Sequence, residues 1–148
     1  MNTNRDAALL ALRPTTESID NAVNALKQEG SSDITDSFAY MLHASLRSIL
    51  KLQHSTIVRL TALYLAPQRG VILQRSIKDQ CALFANALKK DTALRMMIVG
   101  VVVGHFTEAE LLRYTADSAT KSEINKRIIE LAAKRVCDAR EELLAMMS

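Results

Sequence analysis

Apolar positions recur three and four residues apart along most of this chain and almost nowhere alternate singly, so the pattern predicts helices rather than strands. A short first helix is expected over residues 4–12. It stops at Arg13-Pro14, because the residue before a proline disfavours the helical conformation. Thr15 or Thr16 caps a second helix to about residue 28, with Glu17 and Asp20 near its positive end. Gly30-Ser31-Ser32 terminates that helix, and Asp33 caps the next. The third helix, residues 34–66, is the longest. Its apolar face is Phe38, Leu42, Leu46, Ile49, Leu52, Leu60, Leu63 and Tyr64, and its length invites a break near His54-Ser55-Thr56.

Pro67-Gln68-Arg69-Gly70 reads as a turn. A fourth helix follows over residues 71–90, with Leu73, Ile77, Cys81, Phe84 and Leu88 on one face. Asp91 or Thr92 caps a fifth, whose residues 96–104 are apolar all round and belong at the centre of a bundle. Gly100 and Gly104 share a face there, which predicts close approach of a neighbouring helix. Thr107-x-x-Glu110 is a capping box for a short helix to residue 114, and Thr120-x-x-Glu123 a second for a last helix to residue 147. Within that last helix Ile129, Ala132, Val136, Ala139, Leu143 and Met146 make a heptad seam. Its chemistry suits either a seam inside the monomer or a helix paired across a homodimer. The expected fold is all-α: a single bundle of five to seven helices, with a long amphipathic helix (34–66) and a buried central apolar helix (93–106). One domain spans 1–148, with short acidic helices over 1–32 and the bundle core over 33–148.

Composition agrees with this pattern. Hydrophobic residues at 49% and charged residues at 24% are wrong for a disordered chain, and four Gly with two Pro leave helices uninterrupted. Six aromatics and no Trp provide few platforms for stacking single-stranded bases. The longest apolar run, nine residues, falls short of the ~20 that cross a membrane. A polar N-terminus without a signal-like apolar core, and Cys81 and Cys137 read as two small buried hydrophobes in a reducing compartment, place the protein in the cytoplasm.

Charge changes the picture more. Residues 1–37 carry three bases and six acids, a net of −3, and residues 38–90 carry eight bases and one acid, a net of +7. Residues 91–148 carry eight bases and nine acids, a net of −1. The basicity therefore belongs to the middle third, and no acid occurs between Asp36 and Asp79. On a continuous helix His43, Arg47, Lys51 and His54 project within about 80° of one another, with Arg59 beyond them. A face without interspersed acids forgoes i,i+4 pairing, so an acidic complement is expected, either the N-terminal segment or an outside partner.

Arg47-Ser-Ile-Leu-Lys-Leu-Gln-His54 has the Arg-x6-His spacing of HEPN-type ribonuclease active sites and resembles them in that respect. The resemblance implies His54 as proton shuttle and Arg47 as stabiliser of a developing phosphorane. His105-Phe-Thr-Glu108 is explained by its place beside a capping box, and no metal site or cofactor motif is read from the sequence. Residues 108–129 have the outline of a helix-turn-helix, but Glu123, Glu130 and Asp138 lie among its bases and blunt the field that DNA binding needs. The leading expectation is a non-enzymatic binding or regulatory protein engaging an acidic macromolecular partner through His43, Arg47, Lys51, His54 and Arg59. Self-association through the C-terminal seam is a further part of it. A nucleic-acid-binding regulator using the same face is the alternative, and the ribonuclease is a third reading.

Overall fold

The computed structural model describes residues 3–14 and 38–148, and the regular structure among them is entirely helical, so the protein is all-α. Helix α1 is Thr3–Leu12 and α2 spans 38–52, passing from an α-turn at Phe38–Tyr40 through a π-helical turn at Met41–Ser45 to Leu46–Leu52. Then come α3 (His54–Leu65), a 3-10 turn at Ala66–Gln68, α4 (Arg69–Leu73) and α5 (Ile77–Lys90). Helices α6 (Thr92–Val103), α7 (Glu108–Tyr114), α8 (Ser118–Asp138) and α9 (Arg140–Met146) complete the order. The expected second helix lies outside the described residues, as do Glu17, Asp20, Glu29, Asp33 and Asp36, the acids that could have covered the basic stripe.

The elements are shorter and more numerous than the pattern predicts. Gln53 (φ −97°, ψ 17°) divides the long helix beside the His54-Ser55-Thr56 position where its length invites a break, and Ala139 (φ −97°, ψ 26°) divides the last helix, where no break is expected. Between α4 and α5 the chain turns at Ser76 (φ −64°, ψ 161°), whose hydroxyl accepts from the Asp79 N–H at 3.2 Å and caps α5. A break of one to three residues leaves the apolar period nearly in phase, so periodicity does not register it. The expected turn at Pro67–Gly70 is helical instead, with Pro67 in the first turn of the 3-10 segment, where its missing N–H costs nothing. Helix α8 begins at Ser118 and not at the second capping box, because the Asp117 carboxylate takes the Thr120 N–H at 2.7 Å. The expected cap at Asp91 and the Thr107/Glu110 capping box both form.

Packing groups the chain into two units, residues 1–52 with 102–127 and residues 53–101 with 128–148. In the first unit, α1 engages the chain on both sides of a helix junction. Arg5 donates to the carbonyls of Phe106 (2.9 Å) and Gly104 (3.3 Å), and Arg13 donates to that of His105 (2.8 Å). These carbonyls just past the end of α6 have no helical N–H to accept, and cations favour that end of a helix. On the other side the Asp6 carboxylate accepts the Glu108 N–H at 3.1 Å, at the positive end of α7. Arg13 also grips Glu110 with both guanidinium nitrogens, at 3.0 and 2.5 Å, and the side chains of this pair are only 9% and 12% exposed. Phe106 and Tyr114 meet edge to face at 5.7 Å, and the Tyr114 hydroxyl donates to Asn125 at 2.6 Å.

In the second unit α9 packs on α3, and Ile57, Val58, Phe84, Leu88, Leu94 and Ile98 are buried. Cys81 on α5 and Cys137 on α8 form a disulfide with Cα atoms 5.0 Å apart. The reading of two independent buried thiols is thereby corrected. Their 56-residue separation hid a pairing that only the helix arrangement creates. Disulfides are rare in reducing compartments, so the cysteines no longer argue for a cytoplasmic setting. Among the described residues, no helix is long and apolar enough to cross a membrane.

The apolar helix expected at the centre is also corrected. Leu94, Ile98 and Val99 are buried, but Met96 and Met97 are 58% and 45% exposed. Gly100 is exposed, and a Cβ built on it meets nothing within 4 Å, so among the described residues no neighbouring helix approaches closely there. A run that is apolar all round carries no phase, and burial of one side is then decided by its neighbours.

Candidate acidic-partner surface

The basic stripe does not survive as a single helix face. His43 sits in the π turn, where the Leu46 N–H reaches back five residues to the Met41 carbonyl. That wider turn breaks the 100° step that aligned His43 with Arg47. Gln53 then interrupts the helix between Lys51 and His54, and the stripe is divided between the units: His43, Arg47 and Lys51 in the first, His54 and Arg59 in the second. His43 and Lys51 are exposed. Arg47 is half-buried, with its Nε enclosed and unpartnered among the described residues.

His54 is held inside the second unit. Arg135 Nη1 lies 3.2 Å from its Nδ1, and Glu142 lies 2.9 Å from its Nε2. Because the guanidinium can only donate, Nδ1 accepts and the ring proton sits on Nε2, which donates to the Glu142 carboxylate. Both ring nitrogens are therefore engaged, and the arrangement ties α3 to α8 and α9. Burial holds the Arg135 guanidinium below its ordinary value, with the charge of Asp138 acting in the opposite direction. The heptad seam is mostly interior: Ile129, Ala132, Val136 and Leu143 are buried within the single chain, while Ala139 and Met146 are half-buried. Ala139 also stands at the helix break, so the seam does not run as one stripe.

Within residues 53–101 of the second unit the exposed charge is mostly cationic, whereas residues 128–148 also expose Glu130, Asp138, Glu141 and Glu142. Arg59, Arg69, Arg75, Lys78, Lys89 and Lys90 are exposed, and none makes an ion pair among the described residues. The two acids of residues 53–101 are both at helix N-termini. Asp79 lies in the first turn of α5, and Asp91 accepts the Leu94 N–H at 3.0 Å and the Tyr64 hydroxyl. A carboxylate in such a place answers the partial positive charge of the helix end rather than a lysine or arginine.

Arg69, Arg75 and Lys78 lie in or between α4 and α5; they belong to the acid-free stretch of the sequence but not to the binding face expected from it. The sequence pattern also assigned their neighbours Leu73 and Ile77 to a buried face, whereas these are 47% and 62% exposed. Ser76-x-x-Asp79 was the legible signal, since a hydroxyl followed three residues later by an acid marks a helix start. Recognised as a cap, it separates Leu73 from the buried face formed by Gln80, Phe84 and Leu88.

A groove of about 350 Å³ opens beside Tyr64, Leu83, Asn86, Lys90 and Asp91 in the same unit. Among the described residues no three His, Cys, Asp or Glu side chains gather so as to hold a metal ion. Compared with models of known families, with curated proteins and with solved structures, the chain matches none of them.

Proposed function

We propose that this is a non-enzymatic binding protein that engages an acidic macromolecular partner, and that the exposed cations of its second unit supply most of the attraction. The observation that carries this reading is the imbalance within residues 53–101. Six exposed bases go without an ion-pair partner among the described residues, against two acids, Asp79 in the first turn of α5 and Asp91, whose carboxylate accepts the Leu94 N–H. Surface cations without an ion-pair partner among the described residues repel one another and can meet an outside anion without first breaking a salt bridge among those residues. His43 and Lys51 extend the same character to the first unit.

The test is a salt titration of binding to three polyanions, heparin, duplex DNA and polyglutamate, for wild type and two charge-reversed variants. Arg75→Glu with Lys78→Glu is expected to weaken binding about 10-fold or more at low salt while the helical signal is retained. Lys51→Glu in the first unit is expected to have a smaller effect. Preference for polyglutamate over DNA would identify a protein-like partner, and the reverse order a nucleic acid. Failure to bind any of the three at low salt, or binding that ignores the Arg75/Lys78 reversal, would overturn the proposal.

A further inference from the structure

Residues 67–79 form a projecting corner: every one of them is exposed except Ile72. Three large aliphatic side chains stand on it, Val71 at 53%, Leu73 at 47% and Ile77 at 62% exposure, and the cations Arg69, Arg75 and Lys78 are exposed in the same segment, with Asp79 as its one acid. The corner is anchored from beneath. Gln80, 4% exposed, donates from Nε2 to the Ile72 carbonyl at 2.9 Å, and its Oε1 accepts from Arg140 at 2.9 Å. Ser76 caps the outgoing helix. Aliphatic groups are thus held in water by a backbone that is itself tied down, which means little ordering remains to be done on binding.

We infer that this corner docks on an anionic lipid bilayer, with Val71, Leu73 and Ile77 entering the boundary between headgroups and acyl chains and Arg69, Arg75 and Lys78 meeting lipid phosphates. The inference rests on the acidic-partner reading above and names the partner. Two features select a bilayer. The patch is both apolar and cationic, and a bilayer surface rewards both, whereas phosphates of a nucleic acid reward only the charge. The patch also projects, with every residue of 67–79 except Ile72 exposed. An amphipathic peptide helix is bound in a groove, and the groove beside Tyr64 is not lined by Val71, Leu73 or Ile77. A soft, flat surface accepts a projecting corner without a complementary cavity.

The experiment is co-sedimentation of the full chain with phosphatidylcholine vesicles, with and without phosphatidylserine. Binding is expected only when phosphatidylserine is present. Arg75→Gln with Lys78→Gln should weaken it roughly 25-fold, at about 5-fold for each cation. Leu73→Asn with Ile77→Asn should weaken it at least as much, and circular dichroism should show both variants folded, since all four side chains are exposed. Should that double variant lose helicity, Ile77→Asn alone serves, with about a 5-fold loss expected. Vesicle binding that is indifferent to the aliphatic substitutions would overturn the inference, because the contact would then be charge alone. If polyanions bind and vesicles do not, the bilayer is ruled out while the broader acidic-partner reading stands. If neither binds, both fall. A dimer in light scattering that is abolished by Leu73→Asn with Ile77→Asn, without vesicle binding, would assign the corner to a second copy of the chain and overturn the inference.

Discussion

Arg13 and Glu110 form a mostly buried ion pair in the first unit. Burial alone would raise the Glu110 carboxyl, but the hydrogen bond and charge of Arg13 outweigh it and hold the group below the ordinary glutamate range. His105 is also held below its ordinary value, by burial and then by the charges of Arg13 and Arg5. Both groups bind protons less readily when folded than when unfolded, so each contributes stability that is present above its unfolded value and is lost as pH falls. The loss is expected to begin near pH ~6.5 for His105 and near ~4.3 for Glu110, and to continue down to their lower folded values. Urea unfolding across this range should show declining stability, with Glu110→Gln flattening the more acidic part. At neutral pH, Arg13→Ala should cost about 3 kcal/mol, because it strands a mostly buried carboxylate; a cost below ~0.5 kcal/mol would mean the pair is solvated. Proline and capping rules placed the helix stop and Thr107 correctly. The partnership across 97 residues had no sequence signal, since nothing in a local pattern marks which arginine a distant glutamate will meet.

At the scale of elements, the periodic pattern located helices well and their interruptions poorly. Cap chemistry is local, so Asp91 and Thr107 could be read directly, and Ser76 and Asp117 could have been. The breaks at Gln53 and Ala139 carry no glycine or proline, and the apolar period resumes after each with little change. Helix α6 shows the opposite limit. Its composition was legible, but which side of the 96–104 run lies inside was not, because no polar residue within that run marks an outer face. Gly100 supplies the check on this corrected picture. With open space where a Cβ would stand, Gly100→Ala should stabilise the protein by ~0.5–1 kcal/mol in chemical denaturation, from the reduced freedom of the unfolded chain and better helix propensity. A loss of stability would instead restore the close helix approach that the glycine spacing predicts.

For the molecule as a whole, the disulfide closes a long loop across the second unit. Reduction, or Cys81→Ser with Cys137→Ser, is expected to cost about 2–4 kcal/mol in guanidinium unfolding, through the constraint the bond places on the unfolded chain. Thiol titration of the oxidised protein should find no free cysteine; two reactive thiols and no effect of reductant would refute the bond. The sequence by itself determined the all-α class, the positions of most helices, several of their caps and the concentration of basic charge in the middle third. All of these follow from near neighbours in the chain, where spacing and turn chemistry act. Tertiary structure decided the rest. It joined Cys81 to Cys137, engaged His54 between Arg135 and Glu142, took most of the heptad seam into the chain's own core, and left Val71, Leu73 and Ile77 exposed in the same segment as three exposed cations. Each of those outcomes depends on which surfaces meet after folding, and the same apolar residue reads identically in sequence whether a neighbour covers it or not.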